Sequence, residues 1–401
     1  MIQRIDGRVR ALALGMALTC LLGWVFKAHC MPHGWSGAIQ YISGCYSDAP
    51  PFWVERHIGE GRIPYFQTPM EYPVLTGLQI WIEGALARGL FGAGADGATF
   101  LAMVSLGNAL LAGLILWMFV REGMDRVRLW LWACAPPLIL YLGHNWDLGA
   151  VTLAVAAMLA ARRQKLVLAA ALAALGAAAK LFPVLLLPLI GLAALTAPGQ
   201  AWRTRWTTAV RCVLAAIGAW AAVNLPVALA APENWSEFYR FSEARPGTVA
   251  STWSVLSDQG VWVSDTAQRN LAASLAFLLG AAAIVAIGWR KHRERPWVLF
   301  TPVLAWFLLT NKVWSPQFDL WLYPLLVMTS PRLAPIALFV IGDIAAYVTE
   351  FWWLAGLANA WPYATQQDIL IAASVRAVAM LWLIADAVRL PAPAWITRAP
   401  A

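Results

Sequence analysis

Charged residues are scarce in this sequence. Asp, Glu, Lys and Arg make up 12% of its 401 residues, whereas an average soluble domain contains about 25% charged residues. Hydrophobic residues reach 61%, so the chain has too few polar side chains to cover a soluble fold of this length. This composition excludes an ordinary water-soluble protein and indicates a polytopic membrane protein.

Several common signatures of chemistry are also missing. No Gly-rich phosphate loop follows a strand, no catalytic-triad spacing is present, and the five histidines never pair at metal-ligand spacing. These absences disfavour a nucleotide-binding or zinc enzyme, and we expect neither a metal nor another cofactor. The net charge of +8 does not indicate nucleic-acid binding, because the basic residues lie in small clusters between apolar stretches.

Twelve apolar stretches are predicted to span the membrane as helices, although several are shorter than the roughly 20 residues of a full span. The first follows Arg4, Arg8 and Arg10, as a signal peptide would, but no clear cleavage site comes after it, and we interpret it as a retained anchor. Whether 166–197 forms two helices or one broken pair is left open. The predicted spans are 11–28, 98–120, 129–143, 147–161, 166–179, 182–197, 208–230, 270–289, 297–310, 318–329, 333–353 and 369–388.

The segment Tyr72–Phe91 is also apolar, but the charge distribution argues against a thirteenth span. If this segment lies outside the membrane, most of the 29 Lys and Arg residues face one side. The positive-inside rule makes that side the cytoplasm and places both termini there. We therefore predict an interfacial helix with Glu83 and Arg88 toward water. The basic clusters are Arg4 to Arg10, Arg121 to Arg128, Arg162 to Lys165, Arg203 to Arg211, Arg290 to Arg295, Arg332, and Arg389 with Arg398, and the acids that accompany them are Asp6, Glu122, Asp125 and Glu294.

The polar, motif-like parts of the chain fall on the opposite, outer side. Function is therefore predicted to face outward, in loops that a helical bundle holds together. Cys30 and Cys45 both lie in the first outer loop, where an oxidising compartment permits a disulfide, but spacing alone does not decide whether they pair. The outer segments are 29–97, 144–147, the turn around Lys180, 231–269, and Asn311 to Gln317.

Asp48 is the first candidate for catalysis. It follows Cys45-Tyr46-Ser47 just beyond the first apolar stretch, and an ionisable group near bilayer depth is a functional hypothesis by default. An outer carboxylate, outer basic residues and many aromatics suit a substrate with a lipid tail, a phosphate and a sugar, since a carboxylate can act as base for an attacking hydroxyl. The alternative is a turn residue, or the N-cap of a helix that begins at Ala49-Pro50-Pro51.

Six short motifs follow one another in the outer segments: Cys45-Tyr46-Ser47-Asp48, Pro64-Tyr65, Glu71-Tyr72-Pro73-Val74-Leu75-Thr76-Gly77, Asn145-Trp146-Asp147, Lys180-Leu181-Phe182-Pro183 and Asn311-Lys312-Val313-Trp314-Ser315-Pro316-Gln317. This ordered set resembles the loop motifs of the GT-C membrane glycosyltransferases. Within that class the chain is similar, over nearly its whole length, to glycosyltransferase family 87, the actinobacterial polyprenyl-phosphomannose-dependent α-mannosyltransferases. One departure concerns the residues after Asp48: better-known members have a His or similar polar residue and a Tyr there, whereas this chain has Ala49-Pro50-Pro51. This departure leaves the acceptor and the sugar open.

The resemblance implies one all-α GT-C domain over residues 1–401, with about 12 transmembrane helices and juxtamembrane helices in a long first extracytoplasmic loop. It implies inverting transfer of a sugar from a polyprenyl-phosphate donor to an envelope glycolipid or polysaccharide acceptor at the outer face of the plasma membrane. Asp48 matches the general base of that reaction. Mannose is the first expectation, and arabinofuranose is the alternative, because related actinobacterial enzymes share this architecture.

The leaving phosphate of such a reaction needs cationic stabilisation. Lys312 and Arg245 are the first candidates, followed by His144 and Lys180. For Lys312 the alternative is a snorkelling anchor, and for Arg245 it is a solvated loop charge.

Four further outer residues suit a sugar or a phosphate. Glu71 and Tyr72 can hydrogen-bond a sugar hydroxyl or simply fix the turn before the interfacial helix. Trp253 can stack on a sugar or anchor the loop at the membrane interface. Gln317 can donate to a phosphate or a sugar, or belong to ordinary turn chemistry. Asp147 is expected to cap the helix that follows it.

Two other classes of protein remain open. A lipid-linked sugar transporter or flippase would place ionisable groups and broken helices near the bilayer midplane, and Lys180-Leu181-Phe182-Pro183 is the stretch that fits such a break. A noncatalytic assembly partner would tolerate replacement of Asp48. Deep in the bundle, Asp343 and Arg376 are expected to form a structural ion pair between the last two helices.

Overall fold

The computed structural model describes the backbone of residues 2–398 and the side chains of residues 7–398, so the side chains of Arg4 and Asp6 in the first basic cluster lie outside the described part. Helices and short connecting segments make up this range. Up to residue 195 the helices are α1 (Ile2–Ala28), α2 (Ile39–Ile42), α3 (Ala49–Glu55), α4 (Val74–Phe91), α5 (Gly97–Arg121), α6 (Arg126–Ala133), α7 (Pro136–Tyr141), α8 (Leu148–Arg162), α9 (Leu166–Ala179) and α10 (Leu187–Leu195).

Helices account for 76% of the residues, and residues 2–398 contain no β-strand, which confirms the all-α class. Short 3-10 turns precede three of the helices, at Phe182–Leu186, Pro296–Leu299 and Pro316–Phe318. Beyond residue 200 the helices are α11 (Trp202–Ala230), α12 (Pro232–Ala244), α13 (Thr252–Asp258), α14 (Thr266–His292), α15 (Phe300–Thr310), α16 (Asp319–Thr329), α17 (Ala334–Leu357), α18 (Gln366–Arg389) and α19 (Ala394–Thr397).

Six helices in the described range are long and apolar enough to cross a membrane, namely α1, α5, α11, α14, α17 and α18. Each has at least 24 residues. At 1.5 Å per residue this gives about 36 Å or more, which exceeds a hydrocarbon core of about 30 Å. These helices confirm six of the predicted spans and identify a multi-pass helical membrane protein.

The other six predicted spans contain shorter helices. The stretch 129–143 is divided between α6 and α7, because Ala135 precedes Pro136 and is extended. The stretch 166–197 is two helices, α9 and α10, separated at Lys180, which is also extended. The 15 residues of α8 measure about 22 Å, less than a full span. The predicted stretches 147–161, 166–179 and 318–329 agree with α8, α9 and α16 to within one residue, so these helices are as short as the sequence indicated.

The chain forms two compact units. The first contains the chain up to Trp35, the range Cys45–Phe238, and the stretch from Ala394 onward. The second contains Ser36–Gly44 and Tyr239–Pro393.

In the first unit, α9 packs between α8 and α11, and α5 packs against α1, α3, α4 and α8. The sequence of α9 is mostly alanine, and Ala169, Ala173 and Ala177 are buried along it. Small side chains let helix backbones approach closely, which is how apolar helices associate where burial from water gives no driving force. On α4, Thr76 donates to the carbonyl oxygen of Ala179 at 2.7 Å and ties α4 to the end of α9.

The helix predicted at the interface is α4, but the prediction that Glu83 faces water is wrong. Glu83 is buried and accepts hydrogen bonds from Trp146 Nε1 at 2.7 Å and from Gln79 Nε2 at 2.9 Å. Burial raises the pKa of Glu83 to about 8. On α5, the position of Gly107 leaves room for this carboxyl group. Arg88 is half-buried and donates to the carbonyl oxygen of Ile58.

In the second unit, α17 packs along α18, and Gly342 allows the α18 backbone at Arg376 to approach closely. Arg376 is fully buried and donates to Asp319 Oδ2 at 3.0 Å, with Glu350 3.8 Å away. This buried ion pair joins α18 to the start of α16, and the pair expected between Asp343 on α17 and Arg376 on α18 stays a prediction. The segment Ser36–Gly44 packs on α17, where Trp352 Nε1 donates to the Ile42 carbonyl oxygen at 3.1 Å.

Candidate functional site

A disulfide fixes the segment that leads to Asp48. Cys30 and Cys45 are bonded, with a Cα–Cα distance of 6.2 Å, so the structure settles the pairing that the sequence left open. The backbone N–H of Asp48 donates to the carbonyl oxygen of His144 at 2.9 Å. Asp48 is thereby attached to the short loop between α7 and α8, which carries the Asn145-Trp146-Asp147 motif.

The Asp48 side chain does not cap a helix. Asp48 occupies the N-cap position of α3, yet its carboxylate makes no capping hydrogen bond. It accepts a hydrogen bond from the Tyr72 hydroxyl at 2.6 Å instead. The residue as a whole is half-buried, and the surrounding protein removes enough solvent from the carboxyl group to raise its pKa. Hydrogen bonds from Tyr72 and Tyr46 and the charge of Lys180 oppose that increase in pKa, whereas Asp147 adds to it.

Tyr72 is held rigidly as a donor to Asp48. Its carbonyl oxygen accepts from the Tyr65 hydroxyl at 2.8 Å, and Gly77 leaves the space that the Tyr65 ring requires. Its own ring lies edge-on to Phe52 and Trp146, with centroids 5.8 and 5.5 Å away. Burial and the Asp48 charge raise the pKa of Tyr72 well above its usual value. Tyr72 is therefore a neutral hydroxyl that donates to the carboxylate.

Lys180 and Asp147 form an ion pair beside this carboxylate. The Lys180 ammonium lies 2.9 Å from Asp147 Oδ1 and 4.7 Å from the centroid of the Tyr72 ring. Lys180 is half-buried at the end of α9, where the helix stops before Pro183. Asp147 makes no capping hydrogen bond with its side chain, so the expectation that it caps α8 is wrong. The site thus contains two carboxylates and a lysine from three different segments.

His144 and Lys27 lie next to each other in the same unit, close enough to the ion pair for the charges of Asp48 and Lys180 to act on them. The sequence analysis did not include Lys27 among the candidate site residues. Lys27 is 0% exposed, and its ammonium is 3.5 Å from His144 Nδ1. Burial, together with the charges of Lys27 and Lys180, lowers the pKa of His144 well below its usual value. A side chain on Gly143 would meet Lys27 Cγ at 3.1 Å, so the glycine makes room for the lysine stem. A lysine inside the first apolar stretch was the signal available in the sequence.

The Asn108 side chain on α5 holds the loop that carries His144 and Asp147. Asn108 Nδ2 donates to the carbonyl oxygens of Leu142 and Asn145, each at 2.7 Å.

The predicted site residue Glu71 lies next to Tyr72 and pairs with Arg56 on the turn after α3. Burial raises the pKa of Glu71, and the charge of Arg56 opposes that shift. The first unit therefore brings together five of the predicted residues, namely Asp48, Glu71, Tyr72, His144 and Lys180.

The other four predicted residues belong to the second unit. Lys312 is buried and donates to the carbonyl oxygen of Glu243 at 2.7 Å, at the C-terminal end of α12. Arg245 donates to Ser315 Oγ at 3.4 Å. Burial lowers the pKa of Lys312, the charge of Glu243 opposes that shift, and the charge of Arg245 adds to it. Phosphate binding by Lys312 and Arg245 stays a prediction.

Trp253 and Gln317 are the remaining two. Trp253 Nε1 donates to the carbonyl oxygen of Thr310 at 2.7 Å, which fastens α13 to the end of α15. Its ring also lies edge-on to Trp262, with centroids 5.5 Å apart. These contacts give Trp253 a structural role in the loop. Gln317 is half-buried in the 3-10 turn before α16.

One group of potential metal ligands occurs among the described residues, at His29, Cys30 and Cys45. The two sulfur atoms form the disulfide, and zinc prefers the thiolate form of cysteine. This group therefore does not offer a thiolate site while the bond is intact.

The comparisons with known proteins add no family to this description. No protein-family model matches the chain, and no curated protein shows significant similarity to it. What the sequence and the fold establish is a multi-pass helical membrane protein with six long apolar helices in the described range and a polar cluster around Asp48.

Proposed function

We propose that this protein is an inverting glycosyltransferase with the GT-C architecture. It transfers a sugar, mannose first, from a polyprenyl-phosphate donor to an envelope glycolipid or polysaccharide on the extracytoplasmic face. The observation that supports this best is the state of Asp48. A partly exposed carboxylate that caps no helix, accepts from a neutral tyrosine and lies near a lysine has the features of a general base.

In the proposed reaction, Asp48 removes the proton of an acceptor hydroxyl while the hydroxyl oxygen bonds to the anomeric carbon. The bond from that carbon to the phosphate oxygen breaks on the opposite side, and polyprenyl phosphate leaves with the bonding electron pair. Inversion in one displacement requires a base on the face away from the leaving group. Lys180, which is paired with Asp147, supplies positive charge in the same cluster for a phosphate or a sugar hydroxyl.

The Cys30–Cys45 disulfide supports an extracytoplasmic site, because disulfides persist in oxidising compartments. Asp48 lies three residues beyond Cys45, so it shares that compartment. In this topology the termini are cytoplasmic, and the shorter helices together with the six long ones make about twelve membrane segments. The first outer loop then carries α3 and α4 as juxtamembrane helices.

Donor turnover is the direct test. We expect purified protein in detergent, incubated with polyprenyl-phosphomannose and an envelope lipid extract, to release polyprenyl phosphate and mannosylate a lipid or polysaccharide. Release that occurs only with polyprenyl-phosphoarabinose would assign the alternative sugar. No release with either donor, under conditions in which the protein stays folded, would contradict the proposal.

We expect Tyr72→Phe to shift the pH dependence of transfer. The Tyr72 hydroxyl stabilises the Asp48 carboxylate and lowers its pKa, so removing it raises that pKa further. Because the base is active when deprotonated, the acid limb of the kcat/KM profile should move to higher pH. The exposed Tyr363→Phe is the matched control and should leave the profile unchanged. If the acid limb of Tyr72→Phe stays at the wild-type pH, the Tyr72 hydroxyl does not control the pKa of the group that titrates.

A lipid-linked sugar transporter is the second candidate, and one observation favours it. Arg376, Glu350 and Asp319 form a buried charged cluster, and the first two lie within candidate membrane spans. Ionisable groups inside spans often mark transport pathways. In the donor assay a transporter would release no polyprenyl phosphate but would move intact donor across the bilayer of reconstituted vesicles.

A further inference from the structure

A basic and aromatic patch lies at the start of α11, formed by Trp202, Arg203, Arg205, Trp206 and Arg211; we call it the α11 patch. Trp202 and Trp206 are 63% and 47% exposed, and their rings meet edge-on with centroids 5.5 Å apart. Arg203 and Arg211 are exposed, and Arg205 is half-buried. Nothing in the proposed reaction uses these residues.

The charge of the α11 patch is not balanced by acids. The sequence has no Asp or Glu between Asp147 and Glu233. Among the described side chains, none of the three patch arginines forms an ion pair with a carboxylate. The Nε atom of Arg205 is buried without a hydrogen-bond partner in the described part of the chain. Three guanidinium groups within nine residues thus have no carboxylate partner in the described part of the chain.

The α11 patch continues into an apolar surface. Val210, Val213, Leu214 and Ile217 are exposed, and their spacing of three and four residues places them on one side of the helix, in line with Trp202 and Trp206. At 100° per residue, Arg205 and Arg211 border this stripe on opposite sides, and Arg203 lies near its edge.

The length of α11 places the patch near the level of lipid headgroups. The helix has 29 residues, about 43 Å, which exceeds a hydrocarbon core of about 30 Å by more than two turns. Its polar and charged residues are concentrated in the first ten positions, so this end extends out of the hydrocarbon. Tryptophan is enriched at that depth, where its ring meets hydrocarbon and its N–H meets water.

We propose that the α11 patch binds the phosphate headgroup of an anionic phospholipid in the surrounding bilayer. Arginine matches phosphate with paired N–H donors, and the tryptophan rings hold the glycerol region beside the apolar stripe. A lipid fits better than a soluble anion, because the cationic end is continuous with an exposed stripe that acyl chains can cover. The site stands independently of the proposed transferase activity.

Native mass spectrometry of the full-length protein tests this proposal, with equal amounts of phosphatidylglycerol and phosphatidylcholine that carry the same acyl chains. We expect the wild type to retain phosphatidylglycerol preferentially. Each arginine near an anionic headgroup contributes about fivefold in affinity, so the triple variant R203Q/R205Q/R211Q should bind phosphatidylglycerol about a hundredfold more weakly. The matched control R290Q/K291Q/R293Q, at the end of α14, removes the same charge elsewhere and should keep wild-type binding.

If both triple variants lose phosphatidylglycerol binding to the same extent, net charge explains the binding and the proposed site is wrong. Equal retention of phosphatidylglycerol and phosphatidylcholine by the wild type would also overturn the proposal. Melting temperatures in detergent establish that each variant is folded. If the triple variant does not fold, the single variants Arg203→Gln, Arg205→Gln and Arg211→Gln carry the test. Each should weaken phosphatidylglycerol binding about fivefold, and no change in any of them would contradict the proposal.

Discussion

We expect Asp48→Asn to lower sugar transfer by ~10²-fold or more, which is the usual contribution of acid–base catalysis. The amide has nearly the shape of the carboxylate and can still accept from the Tyr72 hydroxyl, but it cannot remove a proton. Donor binding and folding should therefore persist. The measurements are initial transfer rates at saturating donor, the donor dissociation constant, and the melting temperature in detergent.

The matched control for this variant is Asp258→Asn, an exposed aspartate at the end of α13, which should transfer at the wild-type rate. Wild-type turnover by Asp48→Asn would show that Asp48 is not the catalytic base and that its role is structural. Loss of donor binding with unchanged turnover of bound donor would instead make Asp48 a binding residue.

We expect Arg376→Met to destabilise the second unit by about 3–5 kcal/mol, the cost of leaving one partner of a buried ion pair without the other. Asp319 is fully buried and accepts from Arg376 on one oxygen and from Trp314 Nε1 on the other, at 3.0 Å in each case. The guanidinium also lies 3.7 Å from the centroid of the Trp314 ring. Methionine fills the space but supplies neither the charge nor the hydrogen bond. The free energy of unfolding in detergent micelles measures the effect.

Two further variants show whether charge is the cause. Exposed Arg389→Met should change stability by less than about 0.5 kcal/mol, as surface substitutions usually do. The double variant Arg376→Met with Asp319→Leu removes both charges and should recover most of the lost stability, because apolar replacement of a buried pair is often close to neutral. If the double variant is as unstable as the single one, packing or the remaining charge of Glu350, rather than the unpaired Asp319, explains the loss.

The contacts around Asp319 also show why an ion pair is hard to assign from sequence. Arg376 and Asp343 lie on the last two long helices, and sequence reasoning paired them because both are charges in apolar stretches. The structure also gives Arg376 a partner 57 residues away, Asp319 at the start of α16, which the sequence did not indicate. That contact depends on how α16 and α18 pack, which no local pattern encodes.

Sequence alone determined the class of this protein, because hydropathy and helix length are local properties of the chain and decide whether a segment can cross a bilayer. It also singled out Asp48, since a carboxylate next to an apolar span is costly and therefore informative wherever it occurs. The six long helices and the all-α class follow from the same local signals.

Tertiary structure decided what surrounds Asp48 and which way the buried polar groups point. Tyr72, Lys180 and Lys27 meet near one carboxylate only because α1, α4 and α9 pack in one unit. Glu83 is buried for a related reason: the apolar residues of α4 are not confined to one face, so its sequence does not specify which face is buried, and the indole N–H of Trp146 provides a partner for the carboxyl group. Pairings across the chain depend on helix rotation and spacing, and these are properties of the packed bundle rather than of any single stretch.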